Sequence, residues 1–259
     1  MKLGEKKLNV DSVAGVPYQP NHAVHSMLPD RRVATRQSDT EDRRRLLTIR
    51  VADSQGHRSS AHILVTRMYQ ARGYMVAPLP DTPTTNRITL IATDHDVTIG
   101  TITVGFDGPD GLLVEELFAD EIAQLRSEGA VLCEFIKLAI DGVVRSKKVL
   151  ASLMHAAFIC AREIQGCNKV VIEVNPRHVH FYQAMLGFSV IVSERHNRRV
   201  NAPAVLMSLD LEFADGEIDS FQSGNSVRRD ADRSLYRHSF SRQETAAVVD
   251  RMRRRVEAA

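Results

Sequence analysis

The chain has 259 residues, 43% hydrophobic and 25% charged, with a formal net charge of +2. That length can bury a sizeable core, and the apolar share excludes a globally disordered chain. So small a net charge argues against a protein that coats nucleic acid, which shows a clear basic excess. The charge is unevenly spread. Residues 1–50 carry ten Lys/Arg against six Asp/Glu, residues 51–210 carry 15 against 17, and the remainder is balanced. Cys133, Cys160 and Cys167 are odd in number and lack C-x-x-C spacing, so they read as buried free thiols in a reducing cytoplasm. The start MKLGEKKLNVDSV has no apolar run after its charges and does not read as a signal peptide. The most apolar stretch, Val149 to Ala161, falls short of the roughly 18–20 residues that span a bilayer. A soluble, cytoplasmic protein is expected.

Residues 1–45 are polar, contain prolines and end in Glu41-Asp42-Arg43-Arg44-Arg45, which reads as a flexible arm. Leu46 to Val51 is β-branched and strand-like. Ser59 to Gly73 suits a helix with Ile63, Met68 and Ala71 on one side. A proline-rich loop spans 77–83, then strands at 87–93 and 98–106 flank a hairpin turn at Asp94-His95-Asp96. Leu113 to Ser127 is predicted helical, with Leu113, Leu117, Ile122 and Leu125 near one face, and Ala130 to Ile140 reads as a buried strand. Val144 to Ile164 is the strongest helix, followed by a strand at 170–174, a short helix at 178–186 stopped by Gly187, and strands at 188–193 and 204–211. Residues 212–240 read as polar. Ser241 to Val256 is predicted as a helix opened by the capping box Ser241-x-x-Glu244. The order implies an α/β fold with a mixed, mostly antiparallel central sheet flanked by helices. The expected division is an arm at 1–45, a folded α/β domain at 46–211 and a polar extension at 212–259.

Glu134 stands in a run otherwise built like a central strand. A carboxylate there must be paired, hydrogen-bonded or at the end of a pocket. It reads either as a structural ion pair or as a general base or amine-orienting carboxylate. Strand alternation places Lys137 on the opposite face, unless a bulge intervenes. Arg145, Lys147 and Lys148 at the start of the long helix oppose its dipole, and suit either a docked anion or a solvated patch. Asn175-Pro176-Arg177-His178 closes a strand and opens the helix carrying Tyr182, which reads equally as a proton donor or a core aromatic. His178 and His180 are two apart on a helix, so joint metal ligation is not expected. No Walker, Rossmann or nucleophile-elbow motif occurs.

Together these segments resemble a family. The stretch 175–188 (NPRHVHFYQAMLGF), with the strand and long helix before it, resembles the second half of the GNAT N-acyltransferase fold. The stretches 101–112 (TITVGFDGPDGL), 120–126 (DEIAQLR), 132–141 (LCEFIKLAID) and 67–74 (RMYQARGY) resemble the N-acyl amino acid synthases, GNAT relatives akin to acyl-homoserine-lactone synthases. The resemblance covers roughly residues 46–210. It implies transfer of a long-chain acyl group from a thioester on acyl carrier protein to the α-amine of an amino acid. In the lactone synthases a strand Glu in an E-x-x-R/K setting is essential, and Glu134 with Lys137 matches it. Glu134 and Tyr182 are the expected catalytic residues, and Arg72, Lys137, Asn175 and His178 the expected contacts for the acceptor.

The GNAT pyrophosphate loop would fall near 145–150, where Lys148 and Leu150 replace the expected glycines. A carrier-protein donor has one phosphate, which Arg145, Lys147 and Lys148 would receive. Carrier proteins are acidic, so these cations would also complement the partner. No resident cofactor or metal is expected, only the acyl-phosphopantetheine thioester as donor substrate. The alternatives are an acyl-homoserine-lactone synthase, an acetyl-CoA acetyltransferase and a non-catalytic acyl-binding protein. The run Arg251-Met252-Arg253-Arg254-Arg255 suits an anionic lipid surface, a carrier protein or a solvated helix face.

Overall fold

The computed structural model describes residues 12–18, 45–78, 86–142, 146–224 and 234–257. Its strands are β1 (Ser12–Tyr18), β2 (Arg45–Val51), β3 (Arg87–Asp94), β4 (Val97–Phe106), β5 (Leu132–Ile140), β6 (Lys169–Val174), β7 (Ser189–Asn197) and β8 (Ala202–Asp210). Its helices are α1 (Gln55–Gln70), α2 (Glu115–Ser127), α3 (Lys147–Ile159), α4 (Val179–Leu186), α5 (Leu211–Gln222) and α6 (Arg242–Glu257). The strands form one sheet in the order β1-β2-β3-β4-β5-β6-β8-β7. Among the described residues only β5 and β6 pair in parallel, joined by the α3 crossover; the other pairs are antiparallel.

Alternation along the strands sorts side chains into two layers. Ile102 and Val104 of β4, with Cys133 and Phe135 of β5, join the main core around α3. Leu132 and Val171 turn the other way and meet Val114, Phe118 and Ile122 around α2. Ala139 packs with Leu64 and Val65 of α1 on that same second face. The β3–β4 turn has His95 and Asp96 at φ 45° and 67°, the left-handed conformation that a two-residue hairpin loop demands.

Several expectations need correction. Within the expected flexible arm, residues 12–18 form an edge strand on β2, and the remaining residues up to 44 lie outside the described set. Pro17 sits in this strand opposite Leu46, and proline is tolerated on an edge strand. The first helix begins at Gln55 and buries Ala61, Leu64 and Val65, while Ile63 is 65% exposed. The long helix starts at Lys147 and ends in a π-helical turn, Cys160–Ile164. The stretch after 211 is α5, capped by Asp210, whose carboxylate accepts from Glu212 N and Phe213 N. The expected proline loop lies largely in residues 79–85, outside the described residues.

The C-terminal extension explains why α3 is apolar on every side. Ten of its residues, Val149 and Ala151 to Ile159, are buried, including Ser152 and His155. A helix buried all round needs cover on its outer face. Leu235, Tyr236, Phe240, Val248 and Met252 supply it, joining the same core. Tyr236 Oη donates to Leu186 O at 2.7 Å, and Phe240 N donates to His155 Nδ1 at 3.0 Å. The Ser241–Glu244 capping box forms as predicted, and Arg251 of α6 donates to Val13 O of β1 at 2.8 Å. The two polar flanks of the sequence thus meet each other against the core.

His155 generates a stability prediction. Burial lowers its pKa from 6.5 to about 4. The unfolded chain therefore takes up a proton that the folded one does not. This contribution is complete above about pH 6.5 and is lost as pH falls toward about 4. Urea denaturation should show roughly 2–3 kcal/mol less unfolding free energy at about pH 4.5 than at pH 7 from this group. His155→Gln should flatten that part of the profile; an unchanged slope would assign it to other groups.

Candidate active site

The sheet parts between β5 and β6. The two strands pair only at Leu132↔Lys169, Cys133↔Val170 and Glu134↔Val171. Beyond that point β6 keeps only β8, on its far side, while β5 continues beside β4. One extra residue on β5 reinforces the divergence. Thr101 faces Ala139 and Thr103 faces Ile136, so three steps on β5 span two on β4. The bulge centres on Lys137, at φ +54°, a backbone region uncommon for a non-glycine residue.

That bulge overturns the expected separation of Lys137 from Glu134. Strict alternation would put the two on opposite faces, but the extra residue shifts the phase, and Ala139 now lies on the α1 face. Lys137 is half-buried. Burial lowers its pKa, with Arg87 and Arg199 adding to the effect and Glu134 opposing it. His62 of α1 feels the same ammonium.

Glu134 is 1% exposed. Oε1 accepts from Leu113 N at 3.0 Å and Oε2 from Val114 N at 3.1 Å. Across the sheet, Arg87 faces Gly105 and Gly105 faces Glu134, so the three form one row. A Cβ on Gly105 would lie 2.8 Å from both Cγ and Oε1 of Glu134. Glycine therefore leaves the gap over which Arg87 Nη2 comes within 3.8 Å of Oε1. Burial raises the Glu134 pKa, opposed by the two backbone N–H groups and by Arg87 and Arg199.

A second carboxylate shares this face. Glu173 lies on β6 two residues beyond Val171, just past the last β5–β6 pair. Its Oε1 accepts from Asn197 Nδ2, and Arg199 Nη2 stands 3.5 Å from Oε2. Asn197 Oδ1 in turn accepts from Arg199 N at 2.8 Å, which fixes the tip of the β7–β8 hairpin. Oε2 of Glu173 and Nε of Arg87 are buried and have no hydrogen-bond partner. Burial raises the Glu173 pKa against the opposing effect of Arg199.

The remaining expected residues divide. Tyr182 is edge-on to Phe181 and Phe188, at 5.4 and 5.6 Å between ring centres, and packs against the main core. Burial holds its phenol well above the usual range, and it senses Tyr69 of α1. Tyr69 donates to Leu138 O at 3.5 Å, beside the bulge, and its own pKa is pushed up to about 12, chiefly by burial. Arg72 donates to Met68 O at 2.7 Å, closing its own helix end, and Asn175 is a cap, accepting from Arg177 N and donating to Pro203 O. His178 accepts from Arg177 Nε, and burial, then Arg177 and Arg72, lower its pKa. Arg177 also donates to Tyr74 Oη at 2.7 Å, tying the segment after α1 to the start of α4. At the start of α3, Ser146 Oγ accepts from Val149 N, while burial, then Arg237, Lys148 and Lys147, lower the pKa of His238. Arg145 lies outside the described residues.

An open depression of about 580 Å³ beyond the N-terminal end of β5 is a separate feature. Its Arg126 pairs with Asp107 and Glu115 at 2.5–2.8 Å. The groups that sequence reasoning missed are Arg87, Gly105, Glu173, Asn197 and Arg199. Of these, Glu173 carried the same signal as Glu134, a carboxylate inside an apolar strand.

A mixed sheet parted at the parallel β5–β6 pair, with buried and half-buried charged groups at the parting, defines a GNAT-type N-acyltransferase fold. The model of the family described as "N-acyl amino acid synthase FeeM" matches residues 60–210, and the chain belongs to that family. A similar solved structure is FeeM, an N-acyl amino acid synthase from uncultured soil microbes, with 28% identity and a TM-score of 0.59; the match covers 64% of this chain and 92% of that one. An uncharacterised Bacillus halodurans protein matches at 12% identity and a TM-score of 0.51, covering 71% and 93%, and shares the fold. A Lactobacillus plantarum N-acetyltransferase matches at 16% identity and a TM-score of 0.48, covering 64% and 98%. No curated protein matches. Among the described residues no helix is long and apolar enough to cross a membrane.

Two substitutions test the geometry. Gly105→Ala pushes a methyl group into a pinned carboxylate and should cost about 1–3 kcal/mol of stability. Glu134→Gln sets an amide donor against a backbone N–H and should cost about 1–3 kcal/mol. Denaturant unfolding measures both; two variants as stable as the parent would mean that the Glu134 contacts do not form.

Proposed function

We propose that this N-acyltransferase moves a long-chain fatty acyl group from acyl carrier protein to the α-amine of an amino acid in the cytoplasm. The observation that carries the reading is the parting of β5 from β6 beside a buried cluster of charged groups. Parted strands present unpaired N–H and C=O groups along their facing edges, and an amide-containing phosphopantetheine arm can pair with them by strand addition. The thioester would then lie near the bulge, where a backbone N–H of β5 faces the carbonyl oxygen as negative charge develops.

The acceptor enters from the α1 face. Arg87, Lys137 and Arg199 stand there against Glu134, Glu173 and, on the more exposed side of Arg199, Glu116. An amino acid carboxylate would be received by the cations of this cluster. His178, whose pKa is lowered by burial and then by Arg177 and Arg72, would border this entrance together with Arg72. Glu134 orients Arg87 and the 113–114 backbone. Tyr182 or a water protonates the leaving thiolate. The reaction is direct: the amine attacks the thioester carbon, the C–N bond forms, the C–S bond breaks, and the thiol departs.

The donor's phosphate docks at Lys147, Lys148 and Arg145. Side chains, rather than a glycine loop, receive it. This favours a carrier-protein donor over coenzyme A, whose pyrophosphate needs close backbone approach.

Incubating the protein with long-chain acyl carrier proteins, the matching acyl-coenzyme A thioesters and a mixture of amino acids, with mass spectrometry of the products, tests the reading. N-acyl amino acids formed mainly from the carrier-protein donors are expected. A cyclised product from S-adenosylmethionine, or no product, would overturn it. Reversing both Lys147 and Lys148 to Glu should raise KM for the carrier-bound donor more than about tenfold, and added salt should raise it in the parent enzyme.

A further inference from the structure

Two carboxylates face the acceptor side, and their surroundings differ. Glu134 has both oxygens committed to backbone N–H groups, Gly105 closes one side of it, and only 1% of it is exposed. An incoming ammonium would have to displace the 113–114 backbone to reach it. Glu173 has one oxygen committed, to Asn197. Its other oxygen, Oε2, makes no hydrogen bond; it is buried with Arg199 Nη2 3.5 Å away as an ion-pair partner, and the side chain is 12% exposed. It stands just past the last β5–β6 pair, where the strands part.

We propose that Glu173, rather than Glu134, receives the proton from the acceptor's ammonium. This rests on the acyl-transfer reading above and names the residue that meets the amine. Oε2 accepts the ammonium proton, the neutral amine attacks the thioester carbon, the departing thiolate takes a proton from Tyr182 or a water, and the second amine proton restores that donor. The proton on Glu173 then returns to solvent, so each turnover converts an ammonium and a thioester into an amide, a thiol and one proton.

The groups around Glu173 suit this task. Asn197 and Arg199 of the β7–β8 hairpin hold and counterbalance it, Glu116 of α2 and Glu134 of β5 oppose its ionisation, and Tyr69 of α1 lies within electrostatic reach. Burial moves its pKa upward, toward the range where a base accepts a proton near neutrality.

The test compares Glu173→Gln and Glu134→Gln, as full-length proteins, on two acceptors: an amino acid and the matching α-aminooxy acid, whose nitrogen is unprotonated at neutral pH. Glu173→Gln should lower kcat/KM for the amino acid about 10²-fold or more, and for the aminooxy acid less than about threefold. In the parent enzyme kcat/KM should rise with pH through the Glu173 titration, and the variant should lose that limb. Glu173→Asp keeps the charge but withdraws it, and should repeat the aminooxy rescue if the Gln variant does not fold.

Equal losses on both acceptors would make Glu173 structural and overturn the proposal. So would rescue confined to Glu134→Gln, or a Glu173→Gln enzyme as active as the parent. A parent enzyme that forms no N-acyl product from any donor overturns the acyl-transfer reading itself, which separates the two failures.

Discussion

A carboxylate removed from water must be given hydrogen bonds, and the two that Glu134 receives organise the centre of this molecule. Leu113 and Val114 donate them just ahead of α2, so the approach to that helix is tied to the middle of the sheet. Gly105 makes the contact possible by having no side chain, and the same gap brings Arg87 across from β3. Three strands and one helix start are thereby fixed relative to one another by a single side chain. The strands separate immediately past Glu134, so the last rigid point of the sheet is also the first point of the opening.

The opening keeps its shape because different elements hold each side. On β5 the bulge at Lys137 turns the strand, and Tyr69 of α1 holds Leu138 O. On β6 the strand is locked to β8 as far as Val174, and Asn175 caps the turn that leads into α4. Asn197 and Arg199 reach over from the β7–β8 hairpin to Glu173. Each wall thus takes its support from outside the opening, and no ladder bond must be broken to admit a ligand.

Much of this was legible in the sequence where one local signal sufficed. Period-2 and period-3.6 patterns placed β3, β4, β5, α2 and α3 within a few residues, and the Ser241–Glu244 pair marked the start of α6. Glu134 stood out because a charge in an apolar strand needs an explanation. Glu173 sits in Val170 to Val174 and offers the same signal, but the shortness of that strand hid it. Arg87 and Arg199 gave no signal, because cations at a strand start or in a polar turn look solvated until the fold closes over them. The Lys137 bulge depends on how β4 and β5 register, which no single strand encodes. β1 and α5 were missed because both are bordered by polar residues, and their burial comes from partners far away in the chain.

Charges withdrawn from water are costly, and buried Glu134 with half-buried Glu173, Arg87, Arg199 and Lys137 would together weaken an ordinary core. The cost must be offset by apolar burial elsewhere. The flanks provide it. Val13 and Val16 from β1, Leu211, Ala214 and Ile218 from α5, and Val248 and Met252 from α6 all enter the core that contains α3. The charged face and this core lie on opposite sides of one sheet, so α3 and its cover can be largely apolar while the other side stays polar. The segments that look dispensable in the sequence, outside the region matched by the family, thus belong to the same physical unit as the charged site. They add the second apolar layer against which that sheet can hold a strained bulge and several partly satisfied charges.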